Sequence, residues 1–518
     1  MAIKPTVKLL AIVPFIFYGF LGGVKAQKNA KRPNIILFMV DDMGWQDTSV
    51  PFWEKKTPLN ERYRTPNMQR LANEGVKFTN AYATPVCTPT RISLLTGINA
   101  AHHKVTNWTN IQQNISTDAK DSTFKPVDWN INGLSPQAGF AHTVHATPLP
   151  QLLKEAGYFT IHTGKAHWGP MGMPGSSPKN LGFIVNIAGH AAGHPQNYYG
   201  QQNYGNVLGK ATYHAVPDLE EYYGSEVFLS EAITREAIKA IAYPIETKQP
   251  FFLHLSHYAV HTPIQGDARF IEKYQKMGLD STEAKYASLV EGMDKSLGDV
   301  MDYLKKVGQA DNTIIIFMSD NGGLSQGNLR GGGAHTQNLP LKIGKGSVHE
   351  GGVRVPMLVK WPSVVKPSTE QNQYVIVEDF FPSILEMAGV ISPKTIQKVD
   401  GKSFVPLLKN PALKDQNRSL VWHYPNKWGG TGAGINYASA IRKGDWKLLY
   451  DMKKQELSLY NIREDIGEVN NQAAQFPQKV KELASELSQK LKGWNALMPT
   501  YAKDGNAVPW PEQLTHKN

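Results

Sequence analysis

Five short stretches of the chain are apolar at almost every position: residues 34–40 (Asn-Ile-Ile-Leu-Phe-Met-Val), 159–162, 251–255, 313–318 and 355–359. A strand with one wet face alternates apolar and polar positions. These stretches do not, so each reads as a parallel strand covered on both faces. Between them run segments with a helical period. The clearest sets Tyr286, Leu289, Met293, Leu297, Val300 and Leu304 at steps of three and four, a single apolar stripe suited to lie on a sheet. Alternating strand and helix predicts an α/β fold, with a large mixed, mostly parallel central sheet flanked by helices.

Beyond about residue 410 the pattern changes. Residues 437–452 and 456–462 read as strands joined through Lys453-Lys454-Gln455, with a turn at Lys443-Gly444-Asp445 inside the first. A last helix opens at Pro477 and is striped by Val480, Leu483, Leu487, Leu491 and Trp494. The expected organisation is an α/β domain over 27–410 and a smaller α+β subdomain of antiparallel sheet plus helix over 411–518. No internal repeat or low-complexity tract interrupts either part.

The chain has 518 residues, 41% of them apolar and 19% charged, which excludes a disordered tail, a coiled coil or a collagen. Residues 1–27 have early lysines, an apolar stretch over 9–24 and small residues at the end, the layout of a secretory signal cleaved after Ala26. The apolar stretch is short for a bilayer span of about 20 residues, so stable membrane insertion is not expected. Removing those 26 residues, which hold three lysines and no acid, takes the net charge from +11 to +8. The surplus suits an anionic partner. It is spread rather than bunched, which favours a polyanionic small molecule or polysaccharide over nucleic acid. Cys87 is the only cysteine, so no intramolecular disulfide can form.

In open α/β sheets ligands bind beyond the carboxyl ends of the strands. Four of the apolar runs end in reactive residues: Asp41-Asp42, Gly164-Lys165-Ala166-His167, His257 with His261, and Asp320-Asn321-Gly322-Gly323. Three carboxylates brought to one edge repel unless a cation lies among them. Asp41, Asp42, Asp320 and the amide oxygen of Asn321 are hard oxygen ligands, which favours Ca²⁺, with Mg²⁺ as the choice of a smaller cavity. The plainer reading is that each Asp caps a following helix. Cys87 precedes Pro89, which is placed for the first turn of a helix, so the thiol would sit just before a helix N-terminus that favours anions. Alone this fits either a packed residue or a reactive thiolate.

The segment Cys87-Thr88-Pro89-Thr90-Arg91, followed by Leu94-Leu95-Thr96-Gly97, resembles the hallmark of type I sulfatases of the alkaline phosphatase superfamily. Val40-Asp41-Asp42-Met43-Gly44, Gly164-Lys165-Ala166-His167, Val260-His261-Thr262-Pro263 and Ser319-Asp320-Asn321-Gly322 resemble further motifs of that family, in the same order. So do Gly344-Lys345-Gly346-Ser347 with Glu350-Gly351-Gly352-Val353-Arg354, Ile441–Lys447 and Leu459-Tyr460-Asn461. Thr90 departs from the usual Ser or Ala, and Ala166 from the usual aromatic. The resemblance implies an alkaline phosphatase-like fold and conversion of Cys87 to Cα-formylglycine by a maturating enzyme. It also implies a cation held by Asp41, Asp42, residue 87, Asp320 and Asn321.

The same resemblance implies a mechanism. A gem-diol at residue 87 would attack the sulfur of a sulfate ester, Lys165 and Lys345 would neutralise sulfate oxygens, and His261 would protonate the leaving alcohol. His167 would take the proton that lets the aldehyde re-form, and Arg91 would orient the diol. The secreted, basic chain is similar to bacterial glycan-degrading members, which implies a sulfated saccharide substrate and a periplasmic or secreted location. His190, His194, Tyr198 and Tyr199 of an irregular loop are candidate sugar contacts, as are Arg330, His335, Trp422, His423, Trp428 and Tyr437. The rivals are a formylglycine-dependent phosphodiester or phosphonate monoester hydrolase and a glycan-binding protein with a dead site. Asn107, Asn114 and Asn417 stand in glycosylation acceptor triplets, but paired cysteines are absent, which tilts the host toward bacteria.

Overall fold

The computed structural model describes Met1 and residues 32–325, 338–415, 417–428 and 436–515. The main sheet contains β1 (Asn34–Val40), β2 (Val76–Tyr82), β3 (Phe159–Gly164), β4 (Val185–Ile187), β5 (Phe251–Ser256), β6 (Thr313–Ser319), β7 (Arg354–Lys360), β8 (Thr369–Gln371) and β9 (Val375–Ile376). Their order is β8-β2-β7-β6-β1-β5-β3-β4, with β9 also paired to β2. The stretch β6-β1-β5-β3-β4 is parallel throughout. β7 runs antiparallel to both β6 and β2. The expectation that all five apolar runs are parallel is corrected there: apolar continuity reports burial on two faces, not direction.

That two-sided burial is visible residue by residue. Ile35, Leu37 and Met39 join one core with Ile314, Ile316 and Met318. Their neighbours Ile36, Phe38 and Val40 join a second core with Phe251, Leu253 and Leu255. The first core is covered by α1 (Cys87–Thr96), all ten of whose residues are buried. The second is covered by α2 (Leu229–Glu246) and by α3 (Ser281–Lys306), whose apolar stripe is the one expected.

A second sheet contains β10 (Ser419–Tyr424), β11 (Ala438–Lys443), β12 (Trp446–Asp451) and β13 (Glu456–Asn461), antiparallel in that order. The turn at Lys443-Gly444-Asp445 divides two strands where one interrupted strand was expected. One face of this sheet, through Val421, Ile441, Leu448 and Leu459, packs on α4 (Pro477–Gly493). The other face, through Leu420, Trp422, Ala440 and Leu449, enters the core that includes β2 and α1.

Candidate functional site

The carboxyl ends of β1, β3, β5 and β6 converge because the strands between them are parallel and in register. Asp41 N donates to Ala259 O (3.0 Å), and Asp320 N to Val40 O (3.0 Å). Lys165 N donates to Ser256 O (2.8 Å). Gly164 makes the turn into Lys165 at φ +93°, where an added Cβ would lie 1.9 Å from Ser256 O. Asp42 and His167 also have left-handed backbones, at φ 61° and 57°, an uncommon conformation for residues with side chains.

Three carboxylates and three cations interleave at this edge, all nearly or fully buried. Arg91 donates through Nε and Nη2 to Asp320 Oδ2 (2.9 and 2.7 Å), and through Nη1 to Ser256 Oγ and Lys165 O. Lys165 Nζ lies 2.5 Å from Asp41 Oδ2, and Lys345 Nζ 2.6 Å from Asp42 Oδ1. Burial and the neighbouring Asp320 push the Asp41 carboxyl up to about 8. Burial works the same way on Asp42, but Lys345, His261 and Lys165 outweigh it and hold that carboxyl below its ordinary range. Asn321 Nδ2 donates to Asp42 Oδ1 (2.8 Å). Asp41 Oδ1 and Asn321 Oδ1 are buried and have no hydrogen-bond partner among the described residues. Asp41, Asp42 and His261 bring ligand atoms close enough together to hold a metal ion.

Cys87 is the first residue of α1, rather than the residue before it. Its Sγ lies 3.4 Å from His167 Nδ1. His167 Nε2 lies 3.0 Å from Thr109 O. A carbonyl only accepts, so that nitrogen carries the hydrogen and Nδ1 turns its lone pair to residue 87. Burial raises the Cys87 thiol above its ordinary range despite Lys165 and Lys345. Burial, with Lys165 nearby, also pushes His167 well down, keeping it neutral. Thr90, the departure from the usual small residue, uses its hydroxyl: Oγ1 accepts from Thr84 N (2.9 Å) and lies 2.8 Å from Thr84 Oγ1.

His261 has Nδ1 2.9 Å from Thr262 O, which leaves Nε2 toward Asp42 Oδ2 at 3.6 Å. Burial and Lys345 push its pKa well down, against the pull of Asp42. Cys87, His167, His261 and Lys345 all line one cavity of about 310 Å³. Its remaining wall includes Trp108, His194, His214, Leu324 and Trp428. Burial, with His214 and the two lysines, pushes His194 down to about 4.

The sequence-based sugar candidates scatter. His194 and Trp428 reach the cavity. His190 does not line it, and its Nε2 is buried without a partner among the described residues. Tyr198 is buried and donates from its hydroxyl to Tyr258 O and His261 O. Tyr199 packs on Phe228. Tyr437 is corrected as a cavity residue: it is buried with its ring 4.8 Å from Phe124. Trp422 donates to Ala83 O, and His423 bonds Ser439 and Leu497 O, so both serve packing. Arg330 and His335 lie outside the described residues. His214 carries no motif and sits in a polar stretch, so nothing in the sequence singled it out.

Residues 33–390 match the family described as Sulfatase, and residues 343–496 match that described as N-sulphoglucosamine sulphohydrolase, C-terminal. A "Sulfatase" of Formosa agariphila is 30% identical, the alignment covering 95% of each chain. The N-acetylgalactosamine-6-sulfatase of Homo sapiens is 28% identical over 80% of this chain and 76% of its own. The crystal structure of Ps i-CgsB in complex with k-i-k-neocarrahexaose is 29% identical, with a TM-score of 0.68 over 89% of this chain and 93% of that one. With its mixed sheet, flanking helices and separate antiparallel sheet, the chain belongs to the sulfatase family and is a sulfuric ester hydrolase.

Proposed function

We propose that this chain removes sulfate from a sulfated saccharide, using Cys87 oxidised to Cα-formylglycine and a divalent cation held by Asp41, Asp42, residue 87, Asp320 and Asn321. The observation that carries this reading is the buried pair of oxygens without hydrogen bonds among the described residues, Asp41 Oδ1 and Asn321 Oδ1, set among carboxylates beside residue 87. Buried polar atoms normally find a partner, and an all-oxygen donor set fits Ca²⁺ better than a soft metal. A cation there would supply Lewis-acid polarisation and fixed positive charge. Formylglycine would supply a hydrated aldehyde in place of a thiol that burial keeps protonated.

The remaining roles follow from the side chains in place. With Asp41 ionised against the cation, three carboxylates and three basic groups balance near zero, so the divalent ion makes the site net positive, as a sulfate ester requires. Lys165 and Lys345 stabilise the sulfate oxygens as charge shifts between them. His167 receives a proton at Nδ1 from a hydroxyl of residue 87. His261 delivers one from Nε2 to the departing alcohol oxygen, and the arriving anionic sulfate favours the protonated ring that this needs. Arg91 holds Asp320 and the Lys165 carbonyl in place, which makes it a positioning residue.

The saccharide class is supported by the relatives' substrates and by the aromatic and imidazole wall of the cavity. Export is proposed from residues 1–26, although residues 2–31 lie outside the described ones. No helix among the described residues is long and apolar enough to cross a membrane. The test couples peptide mass spectrometry of residue 87 with sulfate release from a panel containing N-acetylgalactosamine 6-sulfate, D-glucosamine-2-N,6-O-disulfate and neocarrahexaose. An aldehyde mass and release that stops on chelation and returns with calcium are expected. Full activity with an unmodified thiol would overturn the scheme.

A further inference from the structure

One wall of the cavity is built from histidines that the hydrolytic scheme does not use. His194 lies between two other imidazoles: its ring centroid is 4.0 Å from that of His214 and 5.8 Å from that of His261, with planes within 9° and 7° of parallel. His194 and His214 are both tethered by Nδ1. His194 Nδ1 is 3.0 Å from Pro195 O, and His214 Nδ1 is 3.3 Å from His194 O. Carbonyls only accept, so each Nδ1 carries a hydrogen and each Nε2 is the atom left for a ligand.

The arm that carries His214 is strapped to the His194 loop. Gln196 N donates to His214 O (2.7 Å). Gln196 Oε1 accepts from Thr212 N and Thr212 Oγ1 (2.8 and 2.9 Å). The two rings are thereby held in place before any ligand arrives, which lowers the cost of binding.

Lone pairs on this wall and the Lys345 ammonium elsewhere in the lining divide the cavity by chemistry. Sulfate oxygens only accept, which suits Lys345 and does not suit a bare Nε2. Hydroxyl and amide groups of a sugar donate. We infer that His194 and His214 are specificity-determining residues, which accept hydrogen bonds through Nε2 from hydroxyl or N–H groups of the saccharide unit carrying the scissile sulfate. This rests on the saccharide reading above. It adds that the sugar is read by acceptors, so that a substrate without donors gains nothing from this wall.

The test uses His194→Phe and His214→Phe, which keep an aromatic stack but lack Nε2, and His214→Gln, which returns an acceptor. Each is assayed on the panel saccharide that the wild-type enzyme cleaves fastest and on 4-nitrophenyl sulfate. The unsulfated parent of that saccharide is also titrated as an inhibitor of the aryl reaction. Each Phe variant is expected to lose about tenfold in kcat/KM on the saccharide and less than about threefold on the aryl ester. Inhibition by the parent sugar should weaken about tenfold, and His214→Gln should recover part of both. Equal losses on the two substrates, or unchanged inhibition, would overturn the assignment while leaving the saccharide reading intact. A wild-type enzyme that cleaves 4-nitrophenyl sulfate and none of the panel would overturn the saccharide reading and this assignment together.

Discussion

Five positions of chain separate two buried clusters of charge that are built in opposite ways. Lys345 reaches into the site at the strand ends, where it pairs with Asp42. Glu350 turns the other way, toward the second sheet. Its Oε1 lies 2.8 Å from Lys447 Nζ, and its Oε2 accepts from Tyr82 OH (2.7 Å) and Arg354 Nη1 (3.2 Å). Glu468 Oε1 lies 3.1 Å from the same lysine, and Oε2 accepts from Glu350 N (2.7 Å). Every carboxylate oxygen of this second cluster therefore has a cation, hydroxyl or N–H within 3.2 Å, although Glu468 Oε1 makes an ion pair without a hydrogen bond. In the first, Asp41 Oδ1 has only Arg91 Nη2 at 4.0 Å, and Asn321 Oδ1 has no hydrogen-bond partner among the described residues. Their proton affinities diverge accordingly. Asp41 is pushed up to about 8, while Lys447 and His349 overcome burial and hold Glu468 down to about 2. A buried cluster that satisfies itself joins two layers of structure; one that does not is arranged for something that must arrive.

The sharpest way to break this contrast is Asp41→Asn. It is expected to lower kcat/KM roughly a thousandfold, through loss of a cation ligand, while changing denaturant stability by less than about 1 kcal/mol. The amide has the shape of the carboxyl, and burial already favours the neutral acid there. Lys447→Met should do the reverse. Leaving Glu350 and Glu468 buried without their shared cation is expected to cost about 3–5 kcal/mol, with kcat/KM per folded molecule within about twofold of wild type. If Asp41→Asn unfolds the protein as readily as Lys447→Met, or if Lys447→Met abolishes turnover in folded material, the two clusters are not different in kind.

Their pH signatures should also oppose. An acid raised from 3.8 to about 8 removes stability as pH climbs through that window, because the unfolded chain ionises first. An acid lowered from 4.5 to about 2 contributes stability above 4.5 and loses it as pH falls toward 2. If the cation is calcium held by the Asp41 carboxylate, as proposed, thermal stabilisation by calcium should be larger at pH 8 than at pH 5. It should approach about 2.7 kcal/mol when the ion stands at a hundred times its Kd. Equal calcium shifts at both pH values, measured by scanning calorimetry, would mean that the ion does not bind at Asp41.

What the sequence disclosed, and what it hid, follows the same division. The five apolar runs were legible because two-sided burial removes polar positions, and the residues following four of them meet at one edge because the strands there are parallel. β2 was not legible: Lys77, Thr79 and Asn80 interrupt it, and its apolar residues find partners only through β7, β8 and β9, which come late in the chain. Glu350 belongs to a segment that resembles a catalytic-domain motif, yet its carboxylate serves the interface with Lys447. No spacing rule separates a lysine aimed at a ligand from a glutamate aimed at a sheet five positions on. Tyr437 looked like a sugar platform because aromatics serve both purposes, and packing on Phe124 decided otherwise. His214 was invisible because its value comes from a ring stacked on a residue twenty positions away.

The smallest effect tests how the thiol-bearing turn is held. Thr90 Oγ1 takes the Thr84 N–H and meets the Thr84 hydroxyl, and both threonines are buried. Thr90→Ala would strand that N–H, at a cost of about 1–2 kcal/mol. Thr90→Ser keeps the oxygen and loses one methyl, at a cost below about 1 kcal/mol. If the hydroxyl fixes the chain leading into Cys87, kcat should fall several-fold in the alanine variant and hold in the serine one, at equal occupancy of modified residue 87. If instead the methyl packing matters, the two variants lose stability equally and their kcat values stay together. In that case the turn is held by the buried apolar side of α1, and the site owes less to hydrogen bonding there than the self-satisfied cluster owes at Lys447.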